Sequence, residues 1–247
     1  MPESFALVRL LNDLFMGVEV EAFQSIGLLP ADAAQQAVKV NQALGLELLV
    51  AGGLIAFFVL VRLTLSVEKP NPAQQIAEII HTVGGSLAGQ IIGHGYERFQ
   101  AFVTCIFLFV LLNNLLGLIP GIDAPTTSPF VPLGLALTTF AYYNFNGIRA
   151  NGMGGYLKQI AGPIWWIAWL IFPIELISHF ARILSLTIRL YANMFASDMV
   201  TLGFFSLVPV GVPVIFLGLH VFVSIIQAFV FMLLSMIYLS LAVSHEH

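Results

Sequence analysis

The chain has 247 residues, 59% of them hydrophobic and only 9% charged, with a mean hydropathy of +0.94. Soluble domains run nearer 45–50% apolar and about 25% charged, so a water-soluble globular enzyme is excluded. A disordered chain needs the opposite balance. A formal net charge of −4 without a basic cluster argues against nucleic acid as a partner. Long unbroken apolar runs, rather than short alternating segments, exclude an outer-membrane barrel. What remains is an all-α integral membrane protein.

In chain order, residues 1–45 are an acidic segment expected on the external side. Glu3, Asp13 and Glu19 near the start leave no positive region leading into an apolar core, so no cleavable signal peptide is expected. Residues 1–18 could form an amphipathic surface helix. The first predicted span is 46–67, with Arg62 near its end. A span needs about 20 mostly apolar residues.

Residues 71–95 read differently. Ile76, Ile79, Ile80, Val83, Leu87 and Ile91 recur at three and four, with Gln74, Gln75, Glu78 and Gln90 on other faces. This pattern predicts an amphipathic helix at the membrane interface, with Gly84-Gly85 and Gly93 as breaks. The second span is expected over 99–119. It contains the lone Cys105, a structural thiol among apolar side chains. A shorter, aromatic third span is expected over 131–147.

The last apolar block divides at Pro209, Gly211 and Pro213 into helices 164–207 and 213–243, which form a long hairpin. The first would be about 60 Å long, twice the ~30 Å hydrocarbon thickness, so it must tilt or bend, and Pro173 allows a kink. The architecture is therefore five membrane helices plus an interfacial helix, in a single membrane domain. Arg62, Lys69, Arg98, Arg149 and Lys158 fall in loops on one side, while the segment before residue 48 holds six acids and two bases. The positive-inside rule then puts the N-terminus outside and the tail inside.

Ionisable side chains at membrane depth cost about 2.5–3.5 kcal/mol on insertion scales, and mark ion or proton paths by default. On helix 164–207, Glu175, His179, Arg182, Arg189 and Asn193 fall within about 80° of one another. Asp198 points to nearly the opposite side from Arg189, so a partner for Arg189 must come from another helix or another chain. His220, Gln227 and Tyr238, with Ser224 beside them, form a second stripe that could face Asp198. Plainer readings stand beside these. Gln227, Asn193, Ser224 and Tyr238 could be interhelical glue. Glu175 and His179 could be hydrated near the interface, and Arg182 could reach headgroups. Arg189 is too deep for that. Its guanidinium keeps its charge, so it acts as a fixed cation rather than a relay, whereas carboxylate and imidazole can exchange protons.

At 184–198 the chain reads LSLTIRLYANMFASD, preceded by PIELISHFAR and followed at 227–242 by QAFVFMLLSMIYLSLA. With NNLLGLIPG at 113–121, these segments resemble subunit a of F-type ATP synthases, and the resemblance covers about 99–243. It implies a bacterial inner-membrane stator beside a rotating ring of c subunits, each with one membrane carboxylate. It also implies a b-subunit stalk and the remaining synthase subunits as partners. Arg189 matches the essential stator arginine. Asp198, His220, Gln227 and Asn193 would line the outer half-channel. Glu175, Ser178 and His179 would line the cytoplasmic one. Asp198 stands where the family has Glu, His or another polar residue, and Tyr191-Ala192 where Phe-Gly is common.

No cofactor, metal or nucleotide site is expected, since no G-x-x-x-x-G-K-[ST] occurs. ATP chemistry would reside in other subunits. One proton crossing 100 mV supplies only about 2.3 kcal/mol, so a rotor must sum several. Proton is the expected ion, with sodium the runner-up. Two other functions are weaker. A stand-alone ion-coupled transporter predicts repeats and broken helices, which are not evident. A haem anchor on His179 and His220 needs both at one depth.

Overall fold

A computed structural model of the chain describes residues 31–66, 71–119, 124–161, 168–207 and 212–243, with side chains described in these ranges except at 31–42, 157–161, 168, 205–207 and 212–213. The surface helix expected at 1–18, the tail after 243 and most of the turn near 209 lie outside these residues. All six long elements are helices. They are α1 (Ala31–Leu63), α2 (Pro72–Ile91), α3 (Glu97–Leu116), α4 (Phe130–Ala161), α5 (Ala168–Leu207) and α6 (Val212–Val243), with a short 3₁₀ turn at Pro125–Thr127 between α3 and α4.

Among the described residues, four helical segments are long and apolar enough to cross a membrane: Ala43–Leu63, Glu97–Leu116, Trp169–Phe204 and Val214–Val243. The expected third span, 131–147, is not among them. It belongs to α4, whose Thr138, Thr139, Asn144 and Asn146 lower its hydropathy. Each bonds the carbonyl four residues back, at 2.7–2.9 Å. A polar side chain that returns its hydrogen bond to its own helix needs no water.

Helix α1 begins well before the apolar run that predicts it, because Ala31-Asp-Ala-Ala-Gln-Gln is rich in good helix formers. Helix α4 continues past residue 147 to Ala161, interrupted at Gly152, where φ is 70°. Helix α2 runs unbroken through Gly84-Gly85. These glycines are contact points rather than breaks. A Cβ on Gly84 would lie 2.7 Å from Thr104 Oγ1, and one on Gly85 2.6 Å from Gln100 Nε2. So α2 buries Gln74, Gly84, Gly85 and Ala88 and turns Ile76, Ile79 and Val83 outward.

Helix α6 is central and packs against α2, α3, α4 and α5. The main core joins Ile106 and Val110 of α3, Ala136 of α4, Leu186, Leu190 and Met194 of α5, and Ala228 and Phe231 of α6. Two further clusters tie α6 to α2–α3 and to α4. Outward-facing Ile55, Leu60, Ile177, Phe180, Ile215 and Phe222 leave the bundle apolar on its exterior as well. In water such a surface would aggregate; in a bilayer it faces lipid.

Candidate functional site

Helix α5 has 40 residues and runs through Pro173 near its start. It lies antiparallel to α6, and the polar stripes on the two helices meet in register. Arg182 stacks over the Tyr238 ring, 5.1 Å from its centroid. Asn193 Nδ2 donates to Gln227 Oε1 at 2.8 Å. Ser197 Oγ and Asp198 Oδ1 lie 2.8 and 3.4 Å from His220 Nδ1. As numbering rises on one helix it falls on the other, so these are rungs of one ladder.

The stripe on α5 runs along the rim of its packed face. Leu186, Leu190 and Met194 are buried, while Arg189 and Asn193 are exposed on the protein's lateral surface. At 100° per residue the buried trio is centred roughly 60° from the polar stripe. Among the described residues Arg189 has no hydrogen-bond or ion-pair partner. It stands about 10 Å along the axis from Arg182 and about 13 Å from Asp198, one polar group on either side.

Towards the start of α5 the structure brings together groups from three helices. Glu175 Oε1 lies 3.4 Å from Arg182 Nη2 and 3.8 Å from His179 Nε2. His179 is buried rather than hydrated at an interface, and its Nδ1 lies 2.8 Å from the Tyr143 hydroxyl of α4. With Tyr143 donating, Nε2 carries the ring hydrogen and turns it towards Glu175. Arg182 engages Glu175 and Tyr238 instead of reaching headgroups. Ser178 is half-buried beside this group.

Towards the other end, His220 is 2% exposed. Its Nε2 lies 3.2 Å from the Asn114 carbonyl, which can only accept. Nε2 therefore holds a hydrogen, and in the neutral ring Nδ1 accepts from Ser197. Asn113, Asn114 and Thr126 are fully buried nearby, and Asn113 Oδ1, both Asn114 amide atoms and Thr126 Oγ1 have no hydrogen-bond partner among the described residues. Among the described residues no three His, Cys, Asp or Glu side chains converge to hold a metal.

Sequence reasoning missed Tyr143, Ser197 and Asn114. Two adjacent amides inside an apolar span were the available signal for Asn114. Tyr143 reads as one more ring of an aromatic span, and Ser197 stands in the shadow of Asp198.

Fold and site together define a multi-pass helical membrane protein with ionisable side chains ordered along α5 and α6. Residues 46–240 match the family described as ATP synthase A chain. The chain is 47% identical to ATP synthase subunit a of Koribacter versatilis over all of both chains. It is 47% identical to that of Solibacter usitatus, covering 82% of this chain and 87% of the relative. With the subunit of Solidesulfovibrio magneticus it shares 38% identity over 92% and 94%. The chain belongs to the ATP synthase subunit a family.

Proposed function

We propose that this chain is the proton-translocating subunit a of the membrane sector of an F-type ATP synthase. Its two half-channels would be separated by Arg189. The observation that carries the reading is the exposure of Arg189 on the outer side of α5, unpaired among the described residues, next to the buried Leu186 and Leu190. A permanent cation facing outward at membrane depth calls for an anion from outside the chain. A carboxylate on each subunit of a neighbouring c ring meets that need.

Asp198, His220, Gln227 and Asn193 line the outer half-channel in this reading, and Glu175, Ser178 and His179 the cytoplasmic one. A proton arriving from outside passes to a ring carboxylate; the neutral carboxyl then leaves Arg189 and enters lipid. After a turn of the ring it releases the proton to the cytoplasmic group, and Arg189 attracts the carboxylate so formed. The same cation blocks direct passage between the two half-channels. The chain performs no ATP chemistry itself. Its partners are the c ring, the b-subunit stalk, the other synthase subunits and the lipid bilayer. The membrane is the bacterial inner membrane, with five spans including α4, α2 at the cytoplasmic interface, the N-terminus outside and the C-terminus inside.

The test is Arg189→Ala in inverted membrane vesicles. ATP-driven acidification should vanish while ATP hydrolysis by the soluble sector continues. Pumping at the parent rate would end this reading. ATP-driven uptake of sodium, with no acidification of its own, would replace the proton with the alternative ion.

A further inference from the structure

The contacts of the His179 ring run inward. Its Nε2 faces Glu175 Oε1 at 3.8 Å, and its Nδ1 meets the Tyr143 hydroxyl at 2.8 Å. Along this series exposure falls from 34% for the Glu175 side chain to 11% for that of His179 and 2% for Tyr143. The series therefore leads from the surface of α5 into the core between α4 and α6, where Tyr143 joins Tyr156, Leu239 and Ala242. A carboxyl passing outside the protein reaches Glu175, not the imidazole behind it.

A histidine that carries a proton takes it on one nitrogen and releases it from the other, so both nitrogens must lie on the path. Nδ1 of His179 instead ends on a buried phenol. An ordinary phenol keeps its proton near neutral pH, so it caps the nitrogen without passing charge on. Two further contacts hold the ring's orientation. The Tyr143 ring lies nearly parallel to it, at 14°, and Phe140 meets it edge-on at 83°, each with its centroid 5.9 Å away. The titratable and charged groups around this ring are Glu175 and Arg182 of α5, Tyr143 and Tyr156 of α4, and Tyr238 of α6.

Resting on the proton-path reading above, we propose that His179 and Tyr143 are positioning residues for Glu175 and that neither carries the proton. Tyr143 donates to Nδ1, which leaves the ring hydrogen on Nε2. Nε2–H then orients the Glu175 carboxylate, whose Oε1 lies 3.4 Å from Arg182 Nη2. At 3.8 Å the imidazole acts as an aimed dipole, beyond the length of a full hydrogen bond. Glu175, the exposed end of the series, exchanges the proton by itself. Its O–H bond forms as that of the c-ring carboxyl breaks, and breaks again when water takes the proton to the cytoplasm.

ATP-driven acidification of inverted vesicles, measured across pH and per assembled complex, tests this. His179→Leu removes the donor and should slow pumping about tenfold, the low end for losing a donor to a charged group. His179→Gln keeps an uncharged donor of similar reach, so pumping should stay within about twofold of the parent, with the parent's pH profile. In the His179→Leu background Tyr143→Phe should cost no further flux, because the hydroxyl acts only through the ring. A further loss there would overturn the pairing. A proton carrier gives a different pattern: His179→Gln is as slow as His179→Leu, and one limb of the pH profile is gone. A mere packing residue gives parent rates in both variants and only a lowered midpoint of thermal inactivation. Either pattern overturns the proposal. If Arg189→Ala still abolishes pumping in the same preparation, the assigned function survives that result; if Arg189→Ala pumps normally, the function itself has failed.

Discussion

The two polar groups on α5, on either side of Arg189, use similar residue types and balance them in different ways. At the Glu175 end a carboxylate, an imidazole and a guanidinium answer one another within the chain, and Tyr143 and Tyr238 close the group from α4 and α6. At the Asp198 end a carboxylate meets an imidazole, beside four buried polar atoms on Asn113, Asn114 and Thr126 that lack partners among the described residues. The first group is neutralised by its own residues. The contrast lies in how the charges are matched, not in the number of ionisable residues. Arg189, between the two, is the extreme case.

The sharpest way to break this comparison is to disable the Asp198–His220 end. His220→Ala and Asp198→Asn should each slow ATP-driven proton transport on the order of a hundredfold, the lower range for losing a positioned proton-transfer group. The complex should still assemble. Normal rates in both variants would reduce this end to packing. Next comes Tyr143→Phe. It strips the buried His179 Nδ1 of its partner, which costs about 1–3 kcal/mol when a buried polar group is left unmatched. A lowered midpoint of thermal inactivation, with flux reduced only a few-fold, is the expected pattern. An unchanged midpoint would mean that the hydroxyl does not hold the ring.

Arg182→Gln tests the self-neutralised end more gently. Its ion pair with Glu175 is partly exposed, at 21% and 34% for the two side chains, so the pair and the contact with Tyr238 together contribute about 1 kcal/mol. Stability should fall slightly and flux per assembled complex should hold. Normal stability with blocked flux would move Arg182 from the balanced group into the path.

Much of this was legible in residue order. The charges at 175, 179, 182, 189 and 198 stand out because apolar sequence surrounds them, and helical periodicity predicts that Asp198 turns away from Arg189. The pairing of His220 with Asp198 follows from two stripes on an antiparallel hairpin. Other features were not legible, for reasons of physics. The Gly84-Gly85 pair reads as a break in an isolated helix, but in contact with α3 it permits a close approach that any Cβ would obstruct. Helix α4 looks short because its threonines and asparagines bond to their own carbonyls, a use of polarity that hydropathy counts as exposure. Glu47 falls at the start of the expected span 46–67, and only the folding of α1 against α3 and α4 brings it to a cavity.

The smallest expected effect belongs to the middle rung, Asn193–Gln227, and it separates glue from path most cleanly. The bond is a neutral amide pair of ordinary length, 2.8 Å, at the edge of the core. Interhelical hydrogen bonds in membranes couple by only about 0.6 kcal/mol on average, because each partner finds substitutes once the other is lost. A double-mutant cycle of Asn193→Ala and Gln227→Ala, read by thermal inactivation, should return a coupling of that size. Neither amide titrates, so any part in transport must come from orienting water rather than from carrying charge. A flux loss in Gln227→Ala well beyond that of Asn193→Ala would show that the buried amide serves the path on its own. Equal losses, vanishing in the double variant's further change, would show that the two act only as one hydrogen bond. The rung next to Arg189 would then hold the helices in register and leave the chemistry to the ends.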